Sequence, residues 1–384
     1  MGHAERLTLI QELEGLRGSR VLCYVTGDRP PAGAQIGDDA VRPLYEHLRA
    51  LDPVDKLDLF IYSRGGATNV PWRMVSAIRG ACKEWHVLIP FRANSAATLL
   101  AMGAESIIMG KQAELGPIDP ILVMQRLDVR PGTAPTMVQD SVSVEDIMSY
   151  LKFVQERAGL SDQASLAQAL ALLGGRLDAI TLGSVYRTHS HIRDVARRML
   201  QSRKPPASDA VINTIVETLA EKVYAHDHAI GLKDAAEIGL PAKPAPANVD
   251  DAMWRLLKQY EDDLHLLDPI DPVDKLGATD LYQEAQYVTA VIESTWGLHE
   301  HMGRLEIKAK RQMPTTLNVS VNLNVQMPAA MPPNQQAALA QLLQQLQPVI
   351  VQAAQQAAQQ AVQQQAPMVG VEVAVRGAKW TKTA

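Results

Sequence analysis

Four short apolar runs in the first 110 residues are separated by stretches with helical spacing, and that alternation admits few folds. The runs are "SRVLCYVT" (19–26), "KLDLFIYSRGG" (56–66), "HVLIPFRA" (86–93) and "SIIMG" (106–110). They are too continuously apolar for a sheet with one wet face and read as buried parallel strands. Between them, "AVRPLYEHLRAL" (40–51), "NVPWRMVSAIRGACKEW" (69–85) and "SAATLLAMGA" (95–104) read as helices, with Pro71 tolerated in a first turn. Repeated β-α-β units imply right-handed crossovers and a mainly parallel α/β sheet.

From about 140 to 225 the pattern turns helical, in "SVEDIMSYLKFVQERAGL", "SLAQALALLGG", "SHIRDVARRMLQSR" and "VINTIVETLAEKVY". "GLKDAAEIGLPA" (231–242) is a short helix with a glycine stop signal, and "AKPAPANVDD" (242–251) reads as a linker. These boundaries give a first domain over 1–245 and a helical extension over 246–310. The remainder, 311–384, has no charged side chain between Arg311 and Glu372. In it "TLNVSVNLNVQ" (316–326) and "VGVEVAV" (369–375) alternate strictly, as half-buried strands do, around a Gln/Ala-rich helical stretch (334–366) interrupted near Pro348. A low-complexity tail and an oligomerisation element pairing between subunits both fit that composition.

Composition excludes several classes. A net charge of -5 without basic clustering argues against a nucleic-acid partner. The two cysteines, Cys23 and Cys82, lie in apolar surroundings, which fits free thiols in a reducing, cytoplasmic setting. The opening "MGHAERLTLIQELEGL" is amphipathic and charged, unlike a secretory signal, and no window reaches membrane-spanning length. Membrane association is not expected.

The chemistry concentrates in "RANSAATLLAMGAESIIMGKQAELGPIDP" (92–120). A serine attacks a carbonyl when a base takes its proton and backbone N–H groups hold the oxyanion. Ser95 follows a strand and opens a helix, so it is either such a nucleophile or an ordinary helix N-cap. "SRGG" (63–66) is a second turn at the carboxyl end of a strand, where active sites of parallel sheets gather. Gly66 and Ala96 could there supply two N–H donors.

The stretch "YSRGGATNVPWRMVSAIR … VLIPFRANSAATLLAMGAESIIMGKQAELGPIDP" resembles the serine dehydrogenase proteinase family of the Clp-protease/crotonase superfamily, related to signal peptide peptidase A. "RVLCYVTGDR", "VYRTHSHIRDVARRML" and "AIGLKDAAEIGL" extend the resemblance over most of residues 5 to 242. It implies stacked β-β-α units, Ser95 as nucleophile, and Gly65 and Gly66 in the oxyanion hole with Ala96. It also implies a homo-oligomer acting on peptide or protein substrates.

The Clp-type histidine is missing from its expected place, since no histidine lies between His86 and His189. Signal-peptide-peptidase-type enzymes use a lysine base, and Lys152 has the comparable placement, with Lys111 as second candidate. A helix-surface Lys152 paired with Glu156 is the plainer alternative. His189, His191, Asp227 and His228, with His226 beside them, are further acid/base candidates or surface groups. "ELGPIDP" shapes a rigid turn in which Asp119 is a structural candidate. No metal motif accompanies the histidines, and no GxGxxG follows the first strand, so neither a metal nor a cofactor is expected. The reading is a serine peptidase; a non-proteolytic oligomeric scaffold and, more remotely, an acyl-CoA enzyme share the fold.

Overall fold

In the computed structural model α1 (Gly2–Arg17), β1 (Arg20–Thr26), α2 (Val41–Leu51), β2 (Val54–Tyr62), α3 (Val70–Ala81), β3 (Cys82–Ile89), β4 (Arg92–Ala93), α4 (Ala96–Met102), β5 (Ser106–Met109) and β6 (Glu114–Leu115) follow in turn. The structure describes residues 2–128, 136–175, 177–222, 228–312 and 332–384. After β6 come a hairpin, β7 (Ile121–Asp128) and β8 (Thr136–Ser143), and four helices: α5 (Val144–Lys152), α6 (Gln163–Gly174), α7 (Ala179–Gln201) and α8 (Asp209–Glu217). The chain continues through α9 (Leu232–Glu237), β9 (Ala242–Pro244), α10 (Ala247–Leu264), α11 (Pro272–Leu276), β10 (Leu281–Ser294), β11 (Gly297–Arg311), α12 (Pro333–Gln365) and β12 (Met368–Lys382). It divides into two units: Met1–Ile270, Gln286–Gly303 and Gly377–Ala384 form one, Asp271–Ala285 and Arg304–Arg376 the other.

One eight-stranded sheet runs β12-β11-β10-β1-β2-β3-β5-β9. From β1 to β9 all neighbours are parallel, and β10 joins β1 antiparallel. The unbroken apolar runs are explained by cover on both faces. Leu22, Tyr24, Leu59, Ile61, Val87 and Ile89 point into one core, with α2, α3, α4 and α7. Val21, Cys23, Val25, Phe60, Tyr62 and Leu88 point into another, against α1 and α10.

Beyond the carboxyl ends of these strands the chain makes a second, short layer. Ile36 bridges Gly66, Ser63 bridges Ala93, β4 pairs β6, and Leu115 bridges Ile230. β1, β2 and β3 are thus each followed by a short extended piece and then a helix, the stacked β-β-α arrangement expected.

Three boundaries differ from the sequence expectation. The helix expected to reach residue 85 stops at Ala81, because Cys82 is extended and pairs with Val54 of β2. Residues 246–310, expected as a helical extension, hold one long helix and then β10 and β11. The β7/β8 hairpin lies where no strand was expected. The tail forms α12 and β12, whereas 316–326 falls outside the described residues.

A buried ionic knot fastens α1 to the sheet. Glu293, fully buried on β10, accepts from Arg6 Nε at 2.7 Å and from the Tyr260 hydroxyl at 2.7 Å, and His3 Nδ1 lies 2.6 Å away. Arg6 also meets Asp263. Removing one partner of a buried pair strands the other, so Arg6→Ala is expected to cost about 3–5 kcal/mol in urea unfolding; a loss below about 1 kcal/mol would show that the knot is not part of the core's stability.

Candidate active site

Ser95 sits between β4 and α4 with φ 51° and ψ -113°, outside the regions open to residues with a Cβ. Its side chain makes no capping hydrogen bond to the helix it precedes. Ser95 thus holds the N-cap position without the extended backbone and side-chain bond to the helix's free N–H groups that a capping serine has. A backbone of this kind costs of order 1–3 kcal/mol and persists only where surrounding contacts fix it.

Those contacts are specific. Asn94 N–H donates to Ser63 O at 3.0 Å, Ala97 N–H to Asn94 O at 3.0 Å, and Leu99 N–H to Ser95 O at 3.1 Å. The buried Thr98 hydroxyl lies 2.7 Å from Ala93 O and 2.9 Å from Gly116 O, and accepts from Gly116 N–H at 3.1 Å. Thr98 thereby pins the "ELGP" turn to the first turn of α4. Gly116 is needed there, since a Cβ would lie 2.9 Å from Asn94 Cβ.

The "SRGG" turn packs directly on Ser95. Gly65 has φ 107°, and a Cβ on it would lie 2.8 Å from Ser95 Cβ and 2.7 Å from Asn94 O. Gly66 has φ 153° and abuts the Ile36 backbone. The two glycines are not equivalent as donors. Gly65 N–H donates to the buried Ser63 Oγ at 3.0 Å, which also accepts from Thr26 Oγ1 at 2.8 Å. The N–H groups of Gly66 and Ala96 have no acceptor among the described residues. Asn94 Oδ1, buried beside them, likewise has no partner there.

The other candidates are engaged in contacts of their own or exposed. Lys152, half exposed at the end of α5, pairs with Glu221 at 2.5 Å, and that hydrogen bond raises its pKa above the ordinary lysine value. Arg193 bridges Glu221 at 3.0 Å and Glu145 at 3.2 Å. Glu221 follows Leu219, whose carbonyl receives Ile118 N–H at 3.0 Å, so this charged cluster adjoins the turn that Thr98 holds. Burial pushes His189 on α7 below its usual pKa and Glu145 above its own. His191 and His228 are exposed, Asp119 is nearly buried, and Lys111 reaches toward Asp250 at 3.7 Å. His226 and Asp227 lie outside the described residues.

Two buried serine–histidine–carboxylate chains look like triads and are not. Ser106, the first residue of β5, and His86, opposite it in the middle of β3, are 2.6 Å apart, with Glu84 at 3.0 Å. Ser294 and His47 are 2.7 Å apart, and His47 runs on through His299 to Glu46. All four serine and histidine residues of these pairs are below 8% exposed, so no substrate reaches them. Among the described residues no cluster could hold a metal, and no helix is long and apolar enough to cross a membrane.

Residues 35–130, which contain the glycine turn and Ser95, match the family model of the ClpP-like SDH-type serine proteinases. Two uncharacterised proteins of Methanocaldococcus jannaschii are 24% and 25% identical over 262 and 268 residues, covering 67% of this chain and 78% and 76% of theirs. Among solved structures the chain is similar to a mutant of the 1510-N membrane-bound stomatin-specific protease (13% identity, TM-score 0.34, 63% of this chain and 85% of that one). It is also similar to a ClpP1 mutant from Listeria monocytogenes (10% identity, TM-score 0.33, 62% of this chain and 99% of that one). The matched family model and the resemblance carried by the sequence motifs name the same family.

Gly65→Ala tests the packing at Ser95. The added methyl is expected to push Ser95 off its backbone and reduce labelling by a serine-directed probe by about 100-fold, while far-UV circular dichroism stays unchanged. Undiminished labelling would show that the contact does not set the serine.

Proposed function

We propose that this chain is a serine peptidase that hydrolyses peptide bonds through an acyl-enzyme on Ser95, working in the cytoplasm as a homo-oligomer. The observation that carries the reading is the strained, uncapped backbone of Ser95. Its carbonyl accepts the first hydrogen bond of α4, but its side chain is not spent on capping that helix, the backbone expected of a nucleophile at a strand-to-helix turn. The matched family, one of serine proteinases, supports the same activity.

In this reading Ser95 Oγ attacks the scissile carbonyl, and the N–H groups of Gly66 and Ala96 receive the oxyanion. Gly65 holds the turn through Ser63 and brings the backbone close to the nucleophile. Lys152 is the proposed base, and it must part from Glu221 to act as a free amine. A base of this kind gives activity that rises with pH as the ammonium loses its proton. Because the Glu221 hydrogen bond raises the Lys152 pKa, weakening it moves that rise to lower pH.

Fluorophosphonate labelling with mass-spectrometric mapping is the direct test. The adduct is expected on Ser95 and absent from Ser95→Ala. An adduct elsewhere, or none in any assembly state, would favour a non-proteolytic scaffold on this fold. For the base, the alkaline rise of labelling is expected to shift to lower pH in Glu221→Gln and to vanish in Lys152→Ala. Identical profiles in all three proteins would remove Lys152 from the mechanism and turn attention to the half-buried His189.

A further inference from the structure

In the second unit the sheet ends on β12, which among the described residues has β11 on one side and no strand on the other. Long free edges are normally blunted by proline, lysine or a bulge, because their unpaired N–H and C=O groups recruit another strand. Residues 368–376, "MVGVEVAVR", contain neither proline nor lysine. Val369, Val371, Val373 and Val375 alternate with Gly370, Glu372, Ala374 and Arg376. Val369 is 62% exposed and Met368 41%.

The charges on this edge are ordered. Gln312 N–H donates to Pro367 O at 3.0 Å, joining the residue after β11 to the residue before β12. Between the two strands Lys310 faces Glu372 at 4.0 Å and Glu306 faces Arg376 at 3.6 Å, so both ion pairs share one register. Glu372 and Arg376 also touch each other at 3.0 Å along the strand. Their side chains are 45% and 52% exposed.

We propose that the outer edge of β12 over residues 368–376 pairs antiparallel with the same edge of a second copy, about a twofold axis at Ala374. In that register Glu372 lies opposite the partner subunit's Arg376, and Arg376 opposite the partner's Glu372. Crossing the junction, the side chains run Lys310, Glu372, the partner's Arg376, the partner's Glu306, with the sign of charge alternating at every step. Val373 faces the partner's Val375, a β-branched cross-strand pair of the kind that stabilises antiparallel ladders. This chain's own residues 313–331 are the competing occupant, but they carry no charged side chain and would leave Glu372 and Arg376 unmatched on that side. The pairing is independent of the chemistry at Ser95.

Native mass spectrometry of the full chain at micromolar concentration tests it. Glu372→Arg alone and Arg376→Glu alone each place like charges opposite one another twice per junction. Each is expected to weaken that contact by about tenfold and to lower the assembly mass by half or more. An equimolar mixture of the two variants is expected to reassemble as mixed pairs, since introduced charges then face each other and native charges face each other. Unchanged melting temperatures guard against simple misfolding of either variant, and recovery in the mixture excludes it. A monomeric wild type, assembly indifferent to both single reversals, or a mixture that fails to recover would each overturn the proposal.

Discussion

The site depends on one buried hydroxyl-bearing residue, Ser63. Its carbonyl accepts from Asn94 N–H and its N–H donates to Arg92 O, so it ties the end of β2 to the strand that leads into Ser95. Its Oγ accepts from Thr26 on β1 and from Gly65 N–H in the glycine turn. Three neighbouring strands are therefore locked at the level where Ser95 is forced into its unusual backbone. A hydroxyl with zero exposure bonded this way makes a rigid point in the fold rather than a reactive one.

The sheet explains why that rigidity is available. Apolar cover on both faces fixes the height and register of β1, β2 and β3, and the short second layer inherits that register at Ser63, Ala93 and Leu115. Strain at Ser95 can be sustained because the elements on either side of it cannot relax independently.

Much of this was legible in the sequence. The four apolar runs are the parallel strands β1, β2, β3 and β5, and the sequence already set the serine between strand and helix beside the "SRGG" turn that the structure packs against it. What escaped has physical reasons. Ser63 and Thr98 are ordinary turn and helix residues by type, and only their partners 2 to 37 residues away give them weight. β10 and β11 fall in a stretch whose pattern suggests a helical extension; they neighbour each other in both chain and sheet, but β10's other partner, β1, is distant in the chain, and local pattern carries little information about such pairing. The near neighbour expected for Lys152 was Glu156, yet the structure pairs it with Glu221, which no helical spacing could suggest. The serine–histidine contacts at Ser106 and Ser294 teach the converse lesson: proximity without an open turn and free N–H donors is core packing.

A sheet sealed on both faces can grow only sideways. β9 closes one margin, while β10, β11 and β12 extend the other, with β1 standing between them and β2. The Ser95 turn lies at the strand ends in the middle of the row, so additions at the margins leave its register untouched. The architecture separates two kinds of change: the central strands are tied to chemistry, whereas the flanks are free to diverge in length, charge and association from one chain of this type to another.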